Sequence, residues 1–347
     1  MRVLVTGANG HLGSNVVRAL LAEGHEVRGL VRPTSDLRGL ERLPVELVKG
    51  DVRDAQAVWD ATLGVDAVIH LAAVYETVDV DDVTMRQTSD VGTRNVIVNA
   101  AVHEVKRLLY ASSMVAVGFS DAPDRPRDEQ QYNDRARHPY FRAKVDGERA
   151  AWAQAEELGV EMIALLPGGL LGPHDHRLTP TTRFVRDLVA GTAQTVAGGA
   201  NYVDVRDVAG AFVAALSQGE PGRRYLLTGD HVELRDLGHI VYTLTGRRPA
   251  HVPLPRAALL AAVHTSAQLA RWRGKAPEVD PLMAEESIGR FPVFCHEAAT
   301  RDLGFYPRPV TPVLADAIRW LARTDALDAS IVEGMYGRLD PSALALD

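Results

Sequence analysis

Three glycines spaced three residues apart open the chain. The stretch Thr6-Gly7-Ala8-Asn9-Gly10-His11-Leu12-Gly13 follows the apolar run Val3-Leu4-Val5 directly. A strand that enters such a turn and then a helix has few folds open to it. Gly7 permits the tight turn, Gly10 lets backbone N–H groups approach a pyrophosphate, and Gly13 lets the helix pack close to the strand. Val16, Val17, Leu20 and Leu21 continue at helical spacing, Gly24 ends the helix, and Glu26–Val31 reads as a second strand. A glycine trio alone would be an ordinary βα turn. With strand, turn, helix and strand in order, it implies a dinucleotide site.

The same alternation continues downstream. Apolar β-type runs recur at Val27–Val31, Val45–Val48, Ala67–Leu71, Leu108–Ala111 and Met162–Leu166, with helical segments between them. That is the pattern of a parallel sheet covered by helices on both faces. Ligands in such sheets bind at the carboxyl ends of the strands. Gly7, Arg32, Asp51, the stretch His70–Ala73, Ser112 with Ser113, and Pro167–Gly169 all fall there. After Pro167 the prolines and irregular spacing increase, followed by helix-like stretches at Arg183–Ala190, Val208–Ser217 and Leu234–Leu244. Residues 1–169 are expected to form the nucleotide-binding domain and 170–347 a smaller α/β substrate domain. Of the strand-like segments Tyr202–Val205 and Arg224–Leu227, one should return to the main sheet within 200–228.

Tyr140 and Lys144 lie four apart after Pro139, so they share one face of a helix whose start proline suits. A tyrosine hydroxyl titrates near ~10, too high for proton exchange at neutral pH, and a nearby ammonium favours the phenolate. Lowering it by about 3 units takes roughly 4 kcal/mol, within reach of a close cation in a partly desolvated site. The pair alone also fits an amphipathic helix with a core tyrosine. Together with the glycine turn and Leu109-Tyr110-Ala111-Ser112-Ser113, it resembles the extended short-chain dehydrogenases/reductases over residues 1 to about 323.

The resemblance implies a Rossmann-type doubly wound α/β fold. It implies Tyr140 as general acid/base, Lys144 as the partner that also holds the nicotinamide ribose, and Ser113, with Ser112 beside it, as the carbonyl-polarising serine. It further implies cofactor contacts from Thr6, Gly7, Asn9, Gly10, His11, Leu12 and Gly13, from Asp51-Val52 at the adenine edge, and from Leu71-Ala72-Ala73. Ser112 and the nicotinamide-facing turn Pro167-Gly168-Gly169-Leu170 complete that set. The position where NAD enzymes of this fold carry an acid is Val31, followed by Arg32. A guanidinium fork suits a 2′-phosphate, so NADP is the expected cofactor; the alternative is an exposed Arg32 beside NAD bound without an acidic clamp.

Leu30–Asp36 and Leu178-Thr179-Pro180-Thr181 resemble the dihydroflavonol-4-reductase-like branch, including bacterial members named hopanoid-associated sugar epimerases. Sugar-nucleotide epimerases and dehydratases usually carry an arginine before the Tyr202-like strand to grip a diphosphate; here Gly198-Gly199-Ala200-Asn201 lacks it. The expectation is therefore NADP(H)-dependent reduction of a ketone or aldehyde, reversible as alcohol oxidation. A sugar-nucleotide epimerase or dehydratase is the alternative. A non-catalytic NADP-sensing regulator is disfavoured by Tyr140 and Lys144. One departure stands out: many relatives carry Asn-Val where this chain has Ser89-Asp90, ahead of Gly92–Asn95.

Composition narrows the partners. A net charge of −7, from 38 basic and 45 acidic residues, suggests no basic face for nucleic acid. One cysteine, Cys295, excludes an internal disulfide and reads as a small buried hydrophobe. The apolar stretch near Ala257–Val263 is too short to span a bilayer. The first strand begins at once, so no signal peptide, a cytoplasmic location and no membrane partner are expected. A homodimer is allowed. His174-Asp175-His176 reads as surface rather than metal site, for want of a third ligand, so no metal is expected. Asp121–His138 is a polar loop placed to border the site, and the tail from Asp325 is assigned no role.

Overall fold

The computed structural model describes residues 1–73, 87–277 and 279–335. Its first part runs β1 (Arg2–Thr6), α1 (His11–Ala22), β2 (Glu26–Val31), β3 (Glu46–Lys49), α2 (Ala55–Thr62), β4 (Ala67–His70), α3 (Thr93–Val102), β5 (Arg107–Ala111), α4 (Pro139–Leu158) and β6 (Met162–Pro167). There follow β7 (Gly169–Leu171), α5 (Pro180–Ala190), β8 (Gln194–Thr195), β9 (Gly199–Asp204), α6 (Val205–Ala215), β10 (Arg224–Leu227), β11 (His231–Glu233) and α7 (Leu234–Thr245). The last elements are β12 (Ala250–His251), α8 (Arg256–Trp272), α9 (Pro281–Ser287), α10 (Glu297–Leu303), α11 (Val310–Arg323) and α12 (Ala329–Met335).

Seven parallel strands form the main sheet in the order β10-β6-β5-β4-β1-β2-β3. The chain starts in the middle at β1, builds outward through β2 and β3, then crosses back to β4 and continues the other way. That reversal between β1 and β4 is where such a sheet opens a crevice at its carboxyl edge. Strand β10 is the segment that rejoins the sheet, pairing Arg224–Leu227 with Ala164–Pro167. The other candidate, Tyr202–Val205, lies instead in β9, within a three-stranded sheet β11-β9-β7.

Each face of the main sheet is covered by its own core. On one side Val3, Val5, Ile163 and Tyr225 meet Val16, Val17 and Leu20 of α1, Phe212 of α6 and Leu303 of α10. On the other, Leu4, Val68, Leu108 and Leu166 meet Val58, Ile97 and Ala155 from α2, α3 and α4. A third core joins Leu171 and Tyr202 to Leu188, Val241 and Ile318 of α5, α7 and α11. Ile331 and Met335 of α12 pack into it too, so part of the segment after Asp325 belongs to this core; residues 336–347 lie outside the described residues.

Two helices begin earlier than their apolar periodicity indicates, one through a cap and one through a proline. Asp204 accepts the Arg206 N–H at 2.8 Å, which starts α6 at Val205 rather than Val208. Pro180 occupies the first turn of α5, ahead of Arg183. Helix α4 starts at Pro139, with the His138 ring accepting the Tyr140 N–H at 3.3 Å, and ends on Gly159 at φ +68°.

The glycine turn shows why its residues cannot grow. Gly7 sits at φ +68° with backbone of Ala72 3.0 Å from where a Cβ would lie. A Cβ on Gly13 would fall 2.1 Å from the Gly7 carbonyl oxygen, so α1 could not approach β1 as it does. Gly24, at φ +75°, has open space around it. Gly24→Ala should therefore cost only the backbone strain of about 1–2 kcal/mol. Gly13→Ala should cost more, because overpacking against fixed backbone adds to a penalty of about 1–3 kcal/mol. Urea unfolding of both variants checks this; equal losses would mean that the α1–β1 contact yields to a methyl group.

Candidate active site

Helix α1 begins directly above the carboxyl end of β1. Gly10 is its N-cap residue and offers no side chain, and no acid stands in its first turn. The leading N–H groups thus stay open to an anion, and the helix dipole adds to the attraction. Thr6, at the end of β1, fixes the neighbouring strand: its hydroxyl accepts the Ala72 N–H at 3.2 Å and meets His70 Nδ1 at 2.7 Å. His70 Nε2 continues to the Thr93 hydroxyl at 3.1 Å, linking β4 to α3. Burial and the nearby Lys144 ammonium push the His70 ring down to about 3, so it is neutral at physiological pH.

A cavity of about 380 Å³ lies against this turn. Gly7, Gly10, His11, Leu12 and Gly13 line one side. Leu71, Ala73, Ser112 and Ser113 come from the ends of β4 and β5, and Pro167–Leu170 from the end of β6. Tyr140 and Lys144 enter from the first turns of α4. Elements separated by most of the chain thus deliver an open helix terminus, a tyrosine, a lysine and two serines to one space.

The two serines differ. Ser112 is buried, and its hydroxyl donates to Glu148. Ser113 accepts only a long 3.4 Å bond from the Val115 N–H, which leaves its proton available to a ligand. Glu148 is fully buried one turn beyond Lys144. Besides Ser112, it accepts from Arg224 Nε at 2.5 Å, Tyr132 OH at 3.2 Å and Trp152 Nε1 at 3.3 Å. Arg224 in turn holds the carbonyls of Glu129 and Gln131 and lies 3.9 Å over the Tyr132 ring. Burial holds the Lys144 ammonium down to about 8, with Glu148 acting against that shift.

The remaining sequence candidates lie around the cavity rather than on it. Asn9 donates its amide to the Asp36 carbonyl at 3.3 Å, and Arg32 is exposed at the end of β2. Asp51 pairs with Arg53 at 2.8 Å, while buried Val52 offers its carbonyl to Asn95 at 2.9 Å. Asp90, in the departure noted above, is exposed at the turn before α3. The polar loop supplies no residue to this cavity; its Arg137 and His138 N–H groups each donate 2.7 Å bonds to Glu286 of α9, the helix whose Met283 and Ser287 do line it. His174 and His176 pack on Trp320, with ring centroids 5.1 and 5.0 Å away. Among the described residues no group of three potential metal ligands occurs.

Several further residues line the cavity: Arg177 and Thr179 ahead of α5 and Thr181 in its first turn, the last two within the stretch that carries the branch resemblance, and Met283 and Ser287 of α9, which carry no local sequence signal. Glu148 has a single clue in the sequence, its place four residues after Lys144 among the otherwise exposed charges Arg142, Asp146 and Arg149.

The Glu148 carboxylate makes two measurable differences. The folded Lys144 ammonium titrates below the ordinary lysine value, so its burial opposes folding at neutral pH, and that opposition fades as pH rises beyond the folded value. Removing the anion beside it should lower the Lys144 titration further in Glu148→Gln. The expected readout is Lys144 acylation against pH by peptide mass spectrometry, with a midpoint near 8 in the native protein and lower in the variant. Breaking the pair with Arg224 should also cost about 3–5 kcal/mol of stability. An unchanged Lys144 titration would disconnect Glu148 from the site.

The sequence profile described as the NAD dependent epimerase/dehydratase family matches residues 3–228. Sterol demethylase protein B of Methylococcus capsulatus is 31% identical over 92% of this chain and 98% of its own. A putative dihydroflavonol 4-reductase of Synechocystis is 28% identical over 91% of this chain and 93% of its own. The crystal structure of gox2253 superposes with a TM-score of 0.83, at 33% identity, over 94% of this chain and 99% of that one. Its oxidoreductase relatives, its central seven-stranded sheet and its glycine turn agree: the chain belongs to the NAD dependent epimerase/dehydratase family of extended short-chain dehydrogenases/reductases.

Proposed function

We propose that this protein is an NADP(H)-dependent reductase of a ketone or aldehyde, running in reverse as an alcohol dehydrogenase. The observation that carries this reading is the convergence of Ser113, Tyr140 and Lys144 with the uncapped α1 terminus on one cavity. The uncapped terminus, with no acid in its first turn, fits a pyrophosphate. The Arg32 side chain makes no hydrogen bond or ion pair among the described residues, and its guanidinium fits a 2′-phosphate beyond the end of β2. A bound NADPH would supply the hydride.

The protein's own part is to place the carbonyl and give it a proton. The Ser113 hydroxyl donates to the carbonyl oxygen and draws electron density from the carbonyl carbon. As that carbon takes a hydride, Tyr140 releases its phenolic proton to the oxygen, completing an alcohol. Lys144 on the same helix face stabilises the phenolate left behind. Ser112 is committed to Glu148, which leaves Ser113 as the serine that touches substrate. The apolar walls of Phe119, Phe141, Met114 and Leu170 favour a substrate with hydrocarbon around the carbonyl. Residues 1–169 with β10 would form the cofactor-binding part, and most of 170–347 the substrate side.

Incubation with a carbonyl panel should consume NADPH in step with alcohol formed. Tyr140→Phe should lower turnover by about 10²-fold or more while cofactor still binds. Inversion of a nucleotide sugar without net NADPH consumption, with the carbonyl panel inert, would replace reduction by epimerisation.

NADPH should bind more tightly than NADH, and Arg32→Ala should erode the preference by about 1.5–3 kcal/mol, the range of a charge-assisted contact. Titration calorimetry with both cofactors reads this. Equal affinities in the native protein would refute the NADP preference.

A further inference from the structure

Helix α8 lacks the outer charges that a surface helix normally carries. Of its residues only Leu259 and Ala267 are buried, with Arg256, Leu260, Val263 and Ala270 half-buried on the same side. The opposite side presents Ala258, Ala261, Ala262, Leu269 and Trp272, broken only by the uncharged Thr265 and Gln268. Trp272 is 82% exposed and Leu269 44%, which sets this face apart from a stripe of small residues. Water-facing helix sides are ordinarily polar and charged; this one is apolar and uncharged.

The surrounding charge has one sign. From Arg247 to Pro277, 31 residues contain six arginines and lysines and no aspartate or glutamate, in a chain where acids outnumber bases 45 to 38. Arg271, Arg273 and Lys275 flank Trp272, are exposed, and make no ion pair among the described residues. Salt confines the field of exposed charges to about 10 Å at ordinary ionic strength, so these cations act on a surface they lie against; the next acids, Glu278 and Asp280, follow the segment in sequence, and Glu285 of α9 pairs with His264. Exposed tryptophan and leucine beside exposed cations are what an interfacial helix offers to an anionic bilayer. No helix among the described residues is long and apolar enough to cross a membrane, so the contact is one of lying on the surface.

We infer that α8 docks its Ala258–Leu269–Trp272 face on an anionic lipid surface, with Arg271, Arg273 and Lys275 among the headgroup phosphates. The helix is fastened to the site behind it. Arg256 donates 2.8 Å bonds to the carbonyls of Ile288 and Glu285, and α8 packs on α9, whose Met283 and Ser287 line the catalytic cavity. Docking therefore sets that cavity one helix away from the bilayer. A second copy of the chain would also cover the apolar stripe, yet it gives no account of the acid-free basic segment.

The test is co-sedimentation of the full chain with vesicles of phosphatidylcholine alone and of phosphatidylcholine mixed with phosphatidylglycerol, at low and high salt. Binding is expected only to the mixed vesicles, weakened by salt, with a blue shift in tryptophan emission that Trp272→Phe removes. Leu269→Ala/Trp272→Ala and Arg271→Gln/Arg273→Gln/Lys275→Gln should each weaken binding by at least about 10-fold. Both sets should leave sedimentation velocity in free solution unchanged, since the face is not a subunit contact. Absence of binding to mixed vesicles at low salt, or binding that both variant sets retain, would overturn the inference. A native dimer that Trp272→Ala dissociates would assign the face to a second copy and overturn it as well.

Discussion

The fully buried carboxylate of Glu148 is the constraint on which the geometry of the site depends. An isolated charge there would be untenable, and it survives because Arg224, Ser112, Tyr132 and Trp152 all converge on it. Those four partners come from the last strand of the sheet, the end of β5, the polar loop and the next turn of α4. One anion thus fastens the helix that carries Tyr140 and Lys144 to the strand end that carries Ser113. It also favours the charged state of Lys144, which burial alone would weaken further. Packing, electrostatics and the placement of chemical groups meet in a single side chain.

The second determinant is topological. Because β1 lies centrally with β2 and β4 on either side, the crevice opens at the carboxyl end of β1, where the glycine turn stands. Gly13 lets α1 approach closely, and the uncapped Gly10 leaves the helix terminus unsatisfied. An incomplete helix cap would ordinarily be a defect in stability. In the proposed function the open N–H groups are what a pyrophosphate would occupy.

Local patterns made much of the fold legible. Apolar runs near 3–5, 27–31, 67–71, 108–111 and 162–166 mark strands because parallel strands are buried on both faces and leave no polar alternation to read. Glycine spacing and the four-residue step from Tyr140 to Lys144 mark the site for similar reasons: each is a short-range geometric demand. What escaped was long-range. The Glu148–Arg224 pair joins residues 76 apart, and nothing near Arg224 announces a buried carboxylate. In the stretch Gly198–Asn201, which lacks an arginine, nothing local announces that the buried Asn201 amide bonds Gly229 and Pro292 and ties two loops together. His11 and Asp175, 3.8 Å apart beneath the glycine turn, likewise meet only through the tertiary fold. The lining from Thr179, Thr181 and Met283 comes from the least periodic third of the chain, so these cavity residues are the least readable.

Isotope transfer tests the central claim of carbonyl reduction most directly. A reductase built on Ser113, Tyr140 and Lys144 moves one hydride from the cofactor to the substrate carbon and does not return it within the same turnover. With NADPH carrying deuterium at the reactive C4 position, mass spectrometry of the product alcohol should show one deuterium on the carbinol carbon and free NADP⁺ in equal amount. Deuterium retained on the cofactor while a substrate stereocentre inverts would contradict the account and identify an internal redox cycle instead.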